Sequence, residues 1–157
     1  MENKRTLSGL QVTDFDRHID GKDTKLCILT NKSGAELTIT NYGAKIVSLM
    51  VPDRNGKLTD VVTGHKSIDD YLTSEEPYFG AICGRYGNRI AKGKFSIDGI
   101  VYDKLAINNG PNSLHGGIKG FNAQVWDILQ QDLQTVTLEY ISEDGEEGFP
   151  GELQTTV

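Results

Sequence analysis

The sequence predicts an all-β protein, and three observations lead to that class. Its 157 residues include 18 glycines, which fall singly between short segments where apolar and polar residues alternate. This spacing is typical of turns between short strands. Asn-Gly at 55–56 and Asp-Gly at 98–99 are strong signals for hairpin turns. No segment sustains the 3.6-residue period of a long amphipathic helix.

The first half of the chain predicts two antiparallel hairpins and one short helical turn. Each hairpin has two alternating strands joined by a turn rich in Asn and Gly, and in the second hairpin Pro as well. A serine precedes the helical turn and can cap its first amides. In chain order these elements are strands at 25–30 and 35–40, strands at 45–51 and 58–63, and the helical turn at 67–72 capped by Ser67.

The second half predicts two further strand pairs, at 94–97 with 100–102 and at 124–129 with 135–141. Another alternating strand is under way at 151–157. A strand cut in its middle exposes unpaired backbone groups at a new edge, so we expect the chain to be truncated at its C-terminal end. No repeat, linker or low-complexity tract marks a boundary, which predicts a single domain over 1–157.

Composition excludes several classes of partner. The net charge is −6, so there is no basic field to attract a phosphate backbone, and we expect no nucleic acid. No apolar run approaches the roughly 20 residues that a membrane helix needs, and we expect no membrane contact. The start MENKRTLSGLQ lacks the apolar core of a signal peptide, which predicts a cytoplasmic location.

The cysteines and two of the three histidines carry no signal for metal or redox chemistry. Cys27 and Cys83 are far apart and form no CxxC pair, so both are predicted to be small buried apolar residues. His18 lies in a polar segment and His65 in a loop, and both are predicted to be surface residues. The histidines lack the close spacing of a metal-binding motif, so no metal site is expected.

The stretch NNGPNSLHGG, 108–117, is predicted to be a loop because Gly and Pro interrupt regular structure and Asn and Ser favour turns. It holds one histidine, His115. The glycines that follow His115 can let a ligand approach the backbone closely and give the ring a defined presentation. A loop histidine can equally be structural, and the residue types alone leave both interpretations open.

A glycine-rich segment, 84–95, contains two arginines. It does not fit a phosphate-binding loop, because Asn88 stands where the first glycine is required, Phe95 replaces the hydroxyl residue and a strand follows. Arg85 and Arg89 can be solvated or paired with surface carboxylates. Alternatively, Asn88 and Arg89 present donors and an acceptor to a polar ligand, since a planar guanidinium suits adjacent hydroxyls or a carboxylate.

Several aromatic residues flank these polar segments. Sugars stack their C–H faces on such rings, although core packing explains most aromatic residues of a β-protein. Phe149 stands out because it lies in a turn. The residues concerned are Tyr78, Phe79, Tyr86, Phe121, Trp126 and Phe149.

Taken together, four motifs closely resemble the aldose 1-epimerases, or galactose mutarotases, in order and nearly in spacing. The resemblance runs from about Leu7 to the last residue and includes earlier pieces at 40–44 and 61–64. The motifs are GNRIAKGKF at 87–95, NGPNSLHGG at 109–117, KGF at 119–121 with Trp126, and EGFPG at 147–151.

The resemblance implies a β-supersandwich fold of the galactose mutarotase type, of which this chain is the N-terminal part. It implies interconversion of the α and β anomers of free hexoses such as glucose and galactose, with no cofactor. Asn88 and Arg89 then correspond to substrate-binding residues. His115 corresponds to the first of the family's two active-site histidines, which contacts the sugar and supports the reaction.

The same resemblance implies that the chain is incomplete as a catalyst. The family's second histidine, its general acid, and its glutamate base both lie beyond the position corresponding to Val157, as does a sugar-binding aspartate. We therefore expect little or no activity from this chain alone. Two alternatives stay open: a noncatalytic carbohydrate-binding β-sandwich, and an epimerase-like protein for hexose 6-phosphates. The oligomeric state is not predicted.

Overall fold

Five antiparallel sheets build the protein in a computed structural model that describes residues 4–157. The described elements include one α-helix, so the all-β prediction is confirmed. The strands are β1 (Arg17–Ile19), β2 (Lys22–Thr24), β3 (Leu26–Thr30), β4 (Glu36–Thr40), β5 (Lys45–Pro52), β6 (Leu58–Asp60), β7 (Arg89–Ile90), β8 (Phe95–Ile97), β9 (Ile100–Tyr102), β10 (Ser113–Leu114), β11 (Asp127–Gln131), β12 (Val136–Ser142) and β13 (Leu153–Thr156). The helix α1 is Ile68–Thr73, and 3-10 turns lie at Val12–Phe15, Ala91–Gly93, Phe121–Ala123 and Glu146–Gly148.

The largest sheet has the order β3-β4-β5-β6, which confirms both hairpins predicted in the first half. Strand β6 ends at Asp60, three residues before the predicted end at 63. The Asp60 carboxylate explains the early end, because it accepts hydrogen bonds from the amides of Leu49 (3.0 Å) and Val62 (3.1 Å). The predicted helical turn is also confirmed: the Ser67 hydroxyl accepts from the amide of Asp70 at 3.1 Å.

The second sheet, β11-β12-β13, contains the strand pair predicted at 124–129 and 135–141 and the strand predicted at the end of the chain. Its first strand begins at Asp127, three residues later than predicted. The preceding residues bond to the other sheet instead: Val125 forms an isolated bridge with Tyr42, and the amide of Trp126 donates to the carbonyl of Asn41 at 2.9 Å. These contacts join the two sheets.

Three two-stranded ribbons complete the fold. The ribbon β8-β9 confirms the hairpin predicted around Asp98 and Gly99, both of which have positive φ. The ribbon β1-β2 was not predicted, although Asp20 and Gly21 form the same kind of turn. The ribbon β7-β10 joins two segments 23 residues apart and is described with the site. Within residues 4–157 no helix is long and apolar enough to span a membrane.

Two buried clusters form the core. The first packs α1 and the N-terminal turn against the large sheet, and the second packs Trp126 and Phe121 beneath β12. The buried members are Phe15, Leu26, Tyr42, Val47, Ile68, Tyr71 and Val125 in the first, and Ala44, Phe121, Trp126 and Leu138 in the second. Core packing thus accounts for three of the aromatic residues singled out above: Phe121 and Trp126 in the second cluster, and the partly buried Phe79, which packs against the first.

One of the two cysteine predictions is confirmed. Cys27 is buried in β3, as predicted. The prediction for Cys83 is wrong, because its side chain is half-buried. Cys83 lies in an irregular segment outside the strands, which does not enclose it on both sides as a sheet does.

Candidate functional site

Asn88, Arg89 and His115 lie together because the short strands β7 and β10 pair the segments that carry them. Arg89 stands opposite Leu114, and Ile90 stands opposite Ser113. Beyond this ladder, the amide of His115 donates to the carbonyl of Asn88 at 3.0 Å. The prediction that 108–117 holds no strand is therefore wrong, since Ser113 and Leu114 find backbone partners in β7.

The His115 ring is held in one orientation. Its Nδ1 lies 2.9 Å from the backbone nitrogen of Asn88. Because a backbone N–H only donates, Nδ1 is the acceptor and the ring proton of the neutral imidazole lies on Nε2. The ring also packs on Tyr78, with centroids 4.7 Å apart. Half-buried His115 thus offers an Nε2–H donor that has no hydrogen-bond partner within residues 4–157.

Both residues of this pair have a left-handed backbone, with φ of +69° at Asn88 and +51° at His115. Residues with a side chain rarely adopt this conformation, although Asn and His are enriched among those that do. Such conformations persist where surrounding contacts enforce them, and they cluster at functional sites. Here two hydrogen bonds hold both residues in this conformation. The His115 amide donates to the Asn88 carbonyl, and the Asn88 amide donates to Nδ1 of His115.

The two glycines after His115 have a different purpose from the predicted one. A Cβ on Gly116 would overlap the carbonyl oxygen of Gly84, and a Cβ on Gly117 would overlap the Glu147 carboxylate. Protein atoms, not a ligand, therefore make the close approach to these glycines. Their absent side chains let the histidine loop pack directly on its neighbours, which fixes the position of His115.

Arg89 is exposed and is oriented by two amide oxygens. Its Nε donates to Oδ1 of Asn109 at 2.9 Å, and its Nη1 donates to Oδ1 of Asn88 at 3.2 Å. Sequence reasoning missed the role of Asn109, which lies in the same NNGPN stretch. Neighbouring Asn108 holds the loop itself, accepting from the amide of Leu114 at 2.7 Å. The predicted turn-forming role of these asparagines is confirmed.

Arg85 is neither solvated nor paired with a surface carboxylate, so that prediction is wrong for it. All five of its N–H groups have acceptors, one hydroxyl oxygen and four carbonyl oxygens. The hydroxyl is that of Ser142 at 2.7 Å. Arg85 therefore ties the glycine-rich segment to the end of β12 and to the EGFPG turn.

The carboxylates of Glu147 in that turn and of Glu146 just before it are also engaged by the protein. Glu147 accepts from the amides of Ile118 at 2.7 Å and Lys119 at 3.2 Å. Glu146 accepts from the hydroxyls of Tyr140 and Ser142. Burial and the adjacent Glu146 raise the pKa of the Tyr140 phenol well above its ordinary value. Both glutamates thus hold the loops together.

The remaining histidines lie outside this group. His18 is exposed on β1, as predicted, with Nδ1 at 2.8 Å from the Asp23 carboxylate. The surface prediction for His65 is wrong, because its half-buried ring packs against Tyr71 and Phe79, with centroids 4.7 Å and 5.5 Å apart. No group of three or more His, Cys, Asp or Glu within residues 4–157 can hold a metal ion.

A pocket of about 520 Å³ opens beside Arg89. Its walls are mostly apolar, and Phe149 reaches it from the EGFPG turn, where it is 7% exposed.

The predicted strand after the glycine-rich segment is confirmed. Arg89 and Ile90 lead through a 3-10 turn into β8, and no helix follows that could form a phosphate-binding loop.

The sheet architecture matches solved structures of sugar epimerases. An aldose epimerase homologue from C. elegans is similar with a TM-score of 0.79 and 30% identity, over 85% of this chain and 41% of that one. A galactose 1-epimerase from Lactobacillus acidophilus gives a TM-score of 0.76 and 26% identity, over 89% of this chain and 41% of that one. The fold is therefore the all-β, galactose mutarotase-like one.

The sequence comparison defines the family. The family model for aldose 1-epimerase matches residues 25–157, and the chain belongs to that family. Galactose mutarotase from Bos taurus is 50% identical over 121 residues, which are 76% of this chain and 34% of that protein. Aldose 1-epimerase from Escherichia coli is 36% identical over 138 residues, 88% of this chain and 39% of that protein. The chain thus spans somewhat more than a third of the length of these relatives.

Proposed function

We propose that this chain forms one wall of the hexose site of an aldose 1-epimerase. Asn88 and Arg89 bind sugar hydroxyls, and His115 contacts the sugar and supports the reaction. The observation that carries the proposal is the hydrogen bond from the Asn88 amide to Nδ1 of His115, 2.9 Å long. It leaves an Nε2–H donor on the ring, and the same Asn88 orients the exposed Arg89 by accepting from its Nη1 at 3.2 Å.

The proposed reaction of the intact enzyme is mutarotation of a free hexose such as glucose or galactose, with no cofactor. A base removes the proton of the anomeric hydroxyl while an acid protonates the ring oxygen, and the bond from that oxygen to the anomeric carbon breaks. The aldehyde group of the open-chain sugar rotates about the bond to the neighbouring carbon. The hydroxyl oxygen then attacks the opposite face of the carbonyl, which closes the ring as the other anomer. A donor held on a sugar oxygen supports these steps by keeping the reacting atoms in register.

We further propose that the 157 residues alone have little or no mutarotase activity. Glu147, which lies against Gly117 at the end of the loop that carries His115, accepts from two backbone amides. Neighbouring Glu146 accepts from two hydroxyls, so both carboxylates are already engaged within the protein. By family resemblance the general acid, the base and a sugar-binding aspartate all lie beyond Val157. The proposal thus treats 1–157 as the N-terminal part of a larger catalytic domain, in the cytoplasm.

Two measurements on the purified chain test this proposal. Titration with galactose and with glucose, followed by NMR, should perturb Asn88, Arg89 and His115. His115→Gln should weaken binding by about tenfold, as expected for one lost hydrogen bond. Polarimetry on freshly dissolved α-D-glucose should show a rate close to that of buffer. A rate well above buffer that His115→Ala abolishes would contradict the claim of inactivity, and absence of any sugar binding would contradict the site.

The noncatalytic sugar-binding alternative is supported by one observation, the engagement of both nearby glutamates. Joining the chain to the remainder of a relative would separate the two hypotheses, because only an epimerase wall should then support turnover. Free hexoses and hexose 6-phosphates should be compared in the same titration. Preference for the phosphorylated sugar would favour an epimerase-like protein for hexose 6-phosphates.

A further inference from the structure

The pocket beside Arg89 has a chemical character that a sugar site does not require. Apart from two arginines at its edge, its lining is apolar or aromatic. These lining residues are Tyr86, Ile90, Phe95, Ile97 and Phe149. At about 520 Å³ the pocket is within the range of small-molecule sites, which are concave and mostly apolar with a few polar groups.

Aromatic rings stand nearly parallel along one side of this pocket. Phe95 stacks on Phe149 with centroids 6.3 Å apart and an interplanar angle of 29°. On its other side, Phe95 stacks on Tyr102 at 5.1 Å and 26°. Ile97 and Tyr86 remain 53% and 52% exposed, so apolar surface is available to a ligand. Burying such surface against a flat apolar group is favourable.

The charge at the edge of the pocket is not neutralised by the protein. Within residues 4–157 no carboxylate lies within 4.0 Å of the Arg89 guanidinium, whose partners are the neutral amides of Asn88 and Asn109. Arg85 differs, because its donors are all used and it shares the Ser142 hydroxyl with Glu146. Arg89 is therefore the cation that can receive an anion, and its planar fork suits a carboxylate.

We propose that this pocket binds a planar aromatic carboxylate, with the carboxylate on Arg89 and the ring against the exposed side chains of Ile97 and Tyr86. This ligand class goes beyond the sugar site proposed above. One consequence does rest on that proposal: a ligand and a hexose that share Arg89 compete for it. Binding of the aromatic anion itself is independent of whether a sugar binds.

Isothermal titration of the 157-residue chain with 2-naphthoate tests the proposal. Two probes separate the contributions of ring and charge: 2-naphthalenemethanol keeps the ring without the charge, and acetate keeps the charge without the ring. We expect 2-naphthoate to bind at least about tenfold more tightly than either probe, since ring burial and ion pairing both contribute. Equal affinity for 2-naphthoate and 2-naphthalenemethanol would overturn the role of Arg89.

Variants of the β8-β9 ribbon locate the ligand. Ile97→Asp places a like charge in the pocket at an exposed position and should reduce 2-naphthoate binding by about tenfold or more. Val101→Asp is the matched control, because Val101 is 52% exposed on the same ribbon and does not line the pocket. It should leave binding unchanged. Equal effects of the two variants would place the ligand elsewhere and overturn the proposal.

Arg89→Gln and Arg89→Lys give a second, independent readout. Glutamine removes the charge, and we expect affinity for 2-naphthoate to fall by about tenfold while affinity for the neutral alcohol is unchanged. Lysine keeps the charge but not the fork, so it should bind with intermediate affinity. Circular dichroism confirms that each variant is folded. Direct titration with galactose reports on the sugar site separately, whichever way the first titration turns out.

Discussion

Lys45 carries an amine into the protein interior, where the residue is 1% exposed. Its Nζ donates to the carbonyl of Asn122 and lies 4.2 Å from the ring centroid of Tyr42. No carboxylate within residues 4–157 pairs with it. Burial lowers the pKa of Lys45 from 10.5 to about 7, and electrostatic interaction with the nearby Cys83 opposes this shift.

This shift has a definite sign for stability. Between pH 7 and 10.5 the unfolded chain keeps the proton that folded Lys45 has lost, so the contribution of Lys45 makes stability rise with pH across that window. Lys45→Met removes the buried amine. We expect it to raise the free energy of unfolding at pH 7 by about 1–3 kcal/mol, with the difference from wild type vanishing towards pH 10.

Urea unfolding of both proteins from pH 6 to 10 measures this difference. Buried cysteine and tyrosine groups, including Cys27 and Tyr71, have raised pKa values and oppose the rise at high pH. Groups away from Lys45, such as Cys27, contribute equally to wild type and variant and cancel in the comparison. Lys57→Met, at an exposed turn position, is the control and should show no pH-dependent gain. A Lys45→Met effect that is constant over this range would contradict the assignment.

At the scale of elements, two glycines with positive φ differ in how much space surrounds them. Replacing each with alanine distinguishes the cost of backbone strain from the cost of steric overlap. Gly99 in the β8-β9 turn has φ of +80° and open space where a Cβ would lie, whereas a Cβ on Gly116 would strike the Gly84 carbonyl. Gly99→Ala should cost about 1–2 kcal/mol, the cost of a left-handed residue with a side chain. Gly116→Ala should cost more than about 4 kcal/mol or prevent folding.

Thermal or urea unfolding of the two glycine variants makes the comparison. Gly99→Ala should also keep the NMR signals of His115 unchanged, because the turn at 98–99 lies in a separate ribbon. If Gly116→Ala yields folded protein, its His115 NMR signals should be shifted from those of the wild type. Similar stability losses for Gly99→Ala and Gly116→Ala would contradict the prediction. They would show that the loop at 108–117 can shift to accommodate a methyl group at Gly116.

The two Asp-Gly hairpins show why one ribbon was predicted and the other was not. Around 98–99 the flanking segments alternate apolar and polar residues, so the turn signal and the strand pattern agree. Around Asp20 and Gly21 the flanking residues are mostly polar, as in Arg17 to Ile19 and Lys22 to Thr24. Because the flanking residues do not alternate, the Asp-Gly turn signal alone did not predict a hairpin at 17–24. The structure nevertheless forms the β1-β2 ribbon there.

Across the whole molecule the central and edge strands of the two main sheets differ in how completely they are paired. Strand β4 lies between β3 and β5, with Thr38 and Thr40 fully buried. Strand β13 has one neighbour, β12, and Leu153 is 39% exposed. We expect amide hydrogens of β4 to exchange at least about 100-fold more slowly than those of β13, because local opening is easiest at a singly paired edge.

Hydrogen exchange followed by NMR on the 157-residue chain provides this measurement. Strand β11 is the internal reference, since it too is an edge strand of the same sheet. If β13 were protected as strongly as β4, its outer edge would have to be covered in solution, for example by self-association. Analytical ultracentrifugation on the same sample would then detect that species.

The sequence by itself determined the all-β class, most of the hairpins and the family. These follow from local turn chemistry, from alternation along single strands and from motifs that stay contiguous in the chain. Asn88, Arg89 and His115 were likewise found from motifs, and their role in sugar binding stays a prediction.

Only the tertiary structure decided how these residues meet. It pairs β7 with β10, fixes the His115 proton on Nε2 through Asn88, and gives Arg85, Glu146 and Glu147 partners within the protein. It also buries Lys45 and half-buries His65 and Cys83. The physical reason is that burial and hydrogen-bond partnership depend on contacts between segments far apart in the chain, which no local pattern encodes.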